Sequence, residues 1–139
     1  MTHLGNGLSN AECHADALSV KEAELAMMRR IGAPEESILV AQGNLAITYG
    51  ALGRPEALGM KQDVYTGYLK LMGEEHETTL MAASNYANLL LDLRRFEEAR
   101  SVLRKMIPVA RRALGEGAVN TLRMRWIYAR ALYLSLIHI

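Results

Sequence analysis

The chain is poor in residues that break or cross-link a fold. Three prolines in 139 residues leave long helices uninterrupted. A single cysteine, Cys13, excludes an internal disulfide and points to a reducing compartment, with the cytoplasm as the expected location. Residues 1–10 carry no apolar signal core. No run approaches the roughly 20 apolar residues that a membrane helix requires, so no membrane partner is expected.

Alanine, leucine, arginine and glutamate are abundant instead, a mixture that favours helix. The net charge of +1 conceals a strong asymmetry. Residues 1–93 hold 6 Lys/Arg against 12 Asp/Glu, and residues 94–139 hold 10 against 3. A chain polarised in this way attracts an acidic partner, or its own neighbour head to tail.

The sequence repeats itself. Gly73-Glu74, Thr79-Leu80, Tyr86-Ala87 and Leu90 recur as Gly115-Glu116, Thr121-Leu122, Tyr128-Ala129 and Leu132, each 42 residues on. Gly32, Asn44-Leu45-Ala46, Leu52 and Arg54 recur as Gly73, Asn85-Tyr86-Ala87, Leu93 and Arg95, each 41 residues on. The missing residue falls near Pro55, where the turn between helices is expected to absorb it. Within a unit, apolar residues recur at offsets of three and four, the stripe of an amphipathic helix. Leu80, Ala83, Ala87, Leu90 and Leu93 form one stripe. Phe96, Ala99, Leu103, Met106, Ala110 and Ala113 form the next, with Pro108 expected to kink that helix rather than break it. Helices are predicted near 36–52, 56–71, 76–93, 96–114 and 118–134. Another is predicted over 10–30, with Ala23, Met27 and Met28 on one face.

Asn44-Leu45-Ala46-Ile47-Thr48-Tyr49 with Leu52-Gly53-Arg54 resembles the first helix of a tetratricopeptide repeat, and Phe96-Glu97-Glu98-Ala99 resembles the start of its second. The period near 42 resembles the longer repeats of kinesin light chains. No heptad segment accompanies it. The resemblance implies an all-α, right-handed solenoid of antiparallel helix pairs. It would comprise a flexible segment over 1–9, a repeat domain over 10–134 and a non-repeat tail over 135–139. The units would be 32–72 and 73–114, with partial units at 10–31 and 115–134. Such an array is expected to be a fragment of a longer one, or to expose its last helix as a self-association edge.

The resemblance also implies a concave groove lined by the first helices of each pair. Its expected lining is Val40, Asn44 and Ile47; then Met81, Ser84, Asn85, Asn88 and Asp92; then Arg123, Trp126, Ile127, Arg130 and Tyr133. An asparagine amide both donates and accepts, so Asn44, Asn85 and Asn88 suit an extended peptide backbone. The alternative for Asn44 and Asn85 is a structural bond to a neighbouring helix. Arg123 and Arg130 lie two helical turns apart with Trp126 between them, an arrangement suited to carboxylates and an apolar anchor. The light-chain resemblance also implies acidic, tryptophan-bearing ligands. The alternative is that Trp126 packs on a further helix and the arginines are solvated. The expected function is a protein-binding scaffold that takes an acidic peptide. The rivals are an inner structural segment of a larger scaffold, and nucleic-acid binding through Arg94, Arg95, Arg100, Arg104, Lys105, Arg111 and Arg112. Phe96 is the one aromatic interleaved with those bases, which disfavours a nucleic-acid partner.

Enzymatic chemistry is not expected. Cys13 and His14 are adjacent and diverge on a helix. His3, His14, His76 and His138 lack metal-ligand spacing. Glu74-Glu75-His76-Glu77 lacks the second histidine of a zinc protease and reads as the acidic start of a helix. Gly5-Asn6-Gly7 lacks the Gly-Lys-Ser/Thr of a phosphate loop. No cofactor or metal is expected, and most methionines are expected to be core filler.

Overall fold

A computed structural model describes the backbone of residues 2–137 and the side chains of residues 13–137. His3, His138 and Gly5-Asn6-Gly7 lie outside the described side chains. Among the described residues the architecture is all-α and tetratricopeptide-like. The helices are α1 (Thr2–Arg30), α2 (Glu35–Ala51), α3 (Glu56–Met72), α4 (Glu77–Asp92), α5 (Phe96–Leu114) and α6 (Val119–Ile137). None is long and apolar enough to cross a membrane. α1 begins eight residues before the expected start at residue 10, and α6 continues through residues 135–137 of the expected tail.

The chain divides into two compact units, residues 1–60 and residues 61–139. In the first, α1 and α2 pack together around Leu18, Leu25 and Leu45. The face that α1 buries is not the one that carries Ala23, Met27 and Met28. Ala23 and Met27 are exposed and Met28 is half-buried, whereas Leu18 and Leu25 are buried. Leu18 and Leu25 are seven residues apart, two turns on one face, and a pair of large branched side chains buries more apolar area than Ala23 and Met27.

In the second unit, α5 packs on both α4 and α6, and α4 also packs on α6. The core is aliphatic: Leu80, Ala83, Ala87, Leu91, Leu103, Met106, Ala110, Met124, Ile127 and Ala131 are all buried. Alanines at the crossings let the helix backbones approach closely. Leu93 and Ala113 were expected in this core, yet both are exposed. Leu93 is the C-cap of α4, where the chain has already turned away from the core. Ala113 lies in the last turn of α5, with little surface to bury. Met106 and Met124 fill the core as expected, but Met27 and Met81 are exposed. Pro108 sits on the exposed face, and α5 continues past it to Leu114.

The turns explain how the 41- and 42-residue spacings coexist. After α2, the Gly53 N–H donates to the Gly50 carbonyl at 3.0 Å and Arg54 N–H donates to the Tyr49 carbonyl at 2.9 Å. After α4, Arg94 N–H donates to Leu91 at 3.0 Å and Arg95 N–H to Leu90 at 2.8 Å. Both are the same left-handed helix stop, with φ +67° at Gly53 and +63° at Arg94. The deletion then trims the first turn of α3, which starts at Glu56, the counterpart of Glu98. Ala57 keeps the buried place of Ala99, so the deletion is absorbed at the start of α3, and the register of the helix is preserved.

Candidate functional site

α4 is buried nearly all the way round. Thr79, Leu80, Ala82, Ala83, Ser84, Tyr86, Ala87, Leu90 and Leu91 are all buried. Helical periodicity leaves one narrow stripe at offsets of four, three and four: Met81, Asn85, Asn88 and Asp92. Met81 and Asp92 are exposed, and the two asparagines are half-buried. Their positions follow from the sandwich, since α5 and α6 occupy the other faces. Ser84 was expected on this stripe and is corrected. It sits about 100° around the helix from Asn85, inside the arc covered by neighbours, and it is fully buried.

α6, which packs on α4, carries Arg123, Trp126 and Arg130 away from its buried arc. Trp126 is 59% exposed. The Arg130 guanidinium lies over its ring, 4.7 Å from the centroid. Stacking in this way fixes the plane of the guanidinium while leaving its N–H edges free for an oxyanion. Tyr133 is also exposed, but Ile127 is buried at 1%. Ile127 was expected to face a ligand. It falls instead on the arc of Thr121, Met124 and Ala131, by which α6 docks.

Asn44 belongs to the first unit. It lies at the rim of a cavity of about 340 Å³ between α1 and α2, with Lys21, Glu24, Met28, Glu36 and Val40. Val40 and Ile47 are exposed as expected. Lys21 Nζ donates to Thr48 Oγ1 at 2.7 Å, and that hydroxyl donates to the Asn44 carbonyl at 3.2 Å. Among the described residues, the side-chain amides of Asn44, Asn85 and Asn88 make no hydrogen bond.

One residue of the site is missing from the list that the sequence suggests. Lys61, in the first half of α3, occupies the repeat position of the fully buried Leu103. Burial holds its ammonium below the usual lysine range, Asp92 opposes that shift and Arg123 adds to it. Lys61, Asp92 and Arg123 therefore share one electrostatic neighbourhood. The signal was available in the 42-residue alignment, as a lysine where the sister unit places a core leucine.

The remaining cations are partly spoken for. Arg95 pairs with Glu98 through two contacts of 2.8 and 2.9 Å, Arg100 pairs with Glu97, and Arg112 pairs with Glu75 at 3.1 Å. His76 is an N-cap, its Nδ1 accepting from Thr78 N–H at 3.1 Å. Cys13 is exposed. No group of three metal-binding side chains occurs among the described residues.

Residues 79–117, which span most of α4, its turn, α5 and the following glycines, match the family model of the tetratricopeptide repeat. The repeat is tetratricopeptide-type. No curated protein sequence matches the chain. Tetratricopeptide repeats mediate protein–protein interaction, and the proteins that carry them are typically non-enzymatic scaffolds.

Proposed function

We propose that this chain is a cytoplasmic, non-enzymatic interaction module that binds an extended acidic peptide along the open stripes of α4 and α6. The observation that carries the reading is the Asn85–Asn88 pair. It lies on the one open stripe of an otherwise buried helix, with its amides unengaged among the described residues. Those amides would hold a peptide backbone, while Arg123 and Arg130 select carboxylates and Trp126 supplies an apolar contact. Asp92 opposes the positive field at one end of the stripe, so the acidic side chains are placed toward Arg123 and Arg130. The 42-residue period, which resembles that of light-chain repeats, supports the same ligand class.

Fluorescence anisotropy with a labelled, glutamate-rich peptide carrying one tryptophan tests the reading. Asn85→Ala with Asn88→Ala, and separately Arg123→Glu with Arg130→Glu, should each weaken binding by tenfold or more. Unchanged affinity in both double variants would refute it.

A further inference from the structure

The α3–α4 and α5–α6 helix pairs differ where their helices meet. Where α3 meets α4, Tyr65 and Tyr86 stack with their centroids 6.3 Å apart and their planes inclined by 16°, filling the space between the helices. The counterparts 42 residues on are Ile107 and Tyr128. Ile107 has no ring to lay against Tyr128, and a pocket of about 280 Å³ opens there between α5 and α6.

The rim changes with the floor. Arg104, Arg111 and Arg125 surround this pocket, together with Ile107, Pro108 and Tyr128. They replace Gln62, Leu69 and Ala83 of the preceding pair. The Ala83 exchange is the most telling. Ala83 is fully buried in the core, whereas Arg125 is exposed. Two apolar side chains, Leu69 and Ala83, and the exposed, neutral Gln62 have thus given way to three arginines that converge on a single cavity.

These cations are largely unneutralised. Arg125 has no ion pair among the described residues, and Arg104 donates through Nε to the neutral Tyr128 hydroxyl at 3.3 Å. Arg111 has only a long contact of 3.7 Å to the exposed Glu116. Three guanidiniums around an apolar floor match a dianionic oxyanion carried on an apolar body. A guanidinium pairs two parallel N–H groups with two phosphoryl oxygens, and Ile107 with the Tyr128 ring would receive the rest of the molecule.

We propose that the α5–α6 pocket is a binding site for a small phosphoryl ester of an aromatic or apolar group. It is separate from the α4–α6 stripe: Arg104, Arg111 and Arg125 are not peptide-contact residues, and Arg123 and Arg130 do not line the pocket.

Isothermal titration of the 139-residue protein with phenyl phosphate tests the proposal, with inorganic phosphate and benzoate as comparators. Phenyl phosphate is expected to bind saturably and more tightly than either comparator. Arg125→Ala should weaken it about tenfold or more, the loss of one charge-assisted contact. Ile107→Tyr rebuilds the stacked pair of α3 and α4, so it should abolish binding while leaving the thermal midpoint unchanged or raised. Arg123→Ala, outside the pocket, should leave the affinity unaltered. Absence of saturable binding at millimolar ligand would overturn the proposal, as would equal affinity in the wild type, Arg125→Ala and Ile107→Tyr.

Discussion

Arg130 holds its guanidinium 4.7 Å above the indole of Trp126, and both side chains project from the open side of α6. A cation over an exposed aromatic face contributes about 0.5–1 kcal/mol. Arg130→Ala and Trp126→Ala should therefore each lower stability modestly. Their double-mutant cycle should show a coupling energy of about that size in urea denaturation. Zero coupling would mean that the stacked geometry is not maintained in solution.

Lys61 stands at a position where the sister unit buries Leu103. Its folded pKa lies below the ordinary value of 10.5 because of burial, with Arg123 reinforcing the shift and Asp92 opposing it. Below the folded pKa both states carry the proton, and the folded state bears the full penalty of the buried charge. As pH rises between the folded pKa and 10.5, the unfolded chain holds more protons, so this penalty is relieved. Lys61→Leu should stabilise the protein by about 1 kcal/mol at pH 7, since it adds partly buried apolar area. The advantage over wild type should shrink as pH approaches 10.5. The same substitution should weaken acidic-peptide binding by removing a positive charge near Arg123. A pH-independent difference in urea midpoints would contradict the electrostatic account.

Arg94 adopts φ +63°, where its counterpart at the end of α2 is Gly53 at +67°. A side chain in the left-handed region costs about 1 kcal/mol that glycine avoids. Arg94→Gly should raise stability by up to that amount, because Arg94 is exposed and has no ion pair among the described residues. Gly53→Ala should lower it. Thermal melts of the two variants moving in the same direction would refute the shared turn geometry.

Thr79 and Thr121 are repeat partners, both fully buried. The Thr79 hydroxyl donates to the Tyr68 carbonyl at 3.2 Å, whereas Thr121 Oγ1 finds no partner among the described residues. Replacing a satisfied buried hydroxyl removes a bond, while replacing an unsatisfied one removes a desolvation penalty. Thr79→Val should cost about 1 kcal/mol and Thr121→Val should gain about as much. Two equal losses in chemical denaturation would show that Thr121 is satisfied after all.

Much of this fold was legible because helices announce themselves locally. The stripes of α4 and α5, the stop at Gly115 and the turn at Arg94-Arg95 rest on short-range periodicity and turn chemistry. Asn85, Asn88, Arg123, Trp126 and Arg130 could be assigned to open faces for the same reason. Ser84 and Ile127 could not, because a spacing of one residue moves a side chain by about 100°. The width of the buried arc depends on how many neighbours a helix has. α4 touches both α5 and α6, so its open stripe is narrower than that of an ordinary surface helix.

By itself, the sequence determined the helical class, the 42-residue repeat and the uneven distribution of charge. Each is a property of residue spacing or composition, independent of what packs where. Tertiary structure alone decided which repeat differences matter. Lys61 against Leu103 becomes a half-buried charge because other helices surround it. Ile107 against Tyr65 becomes a pocket because the missing ring leaves a gap between helices that close packing would otherwise fill. Burial and cavities are relations between distant segments, and periodicity along one segment carries no measure of them.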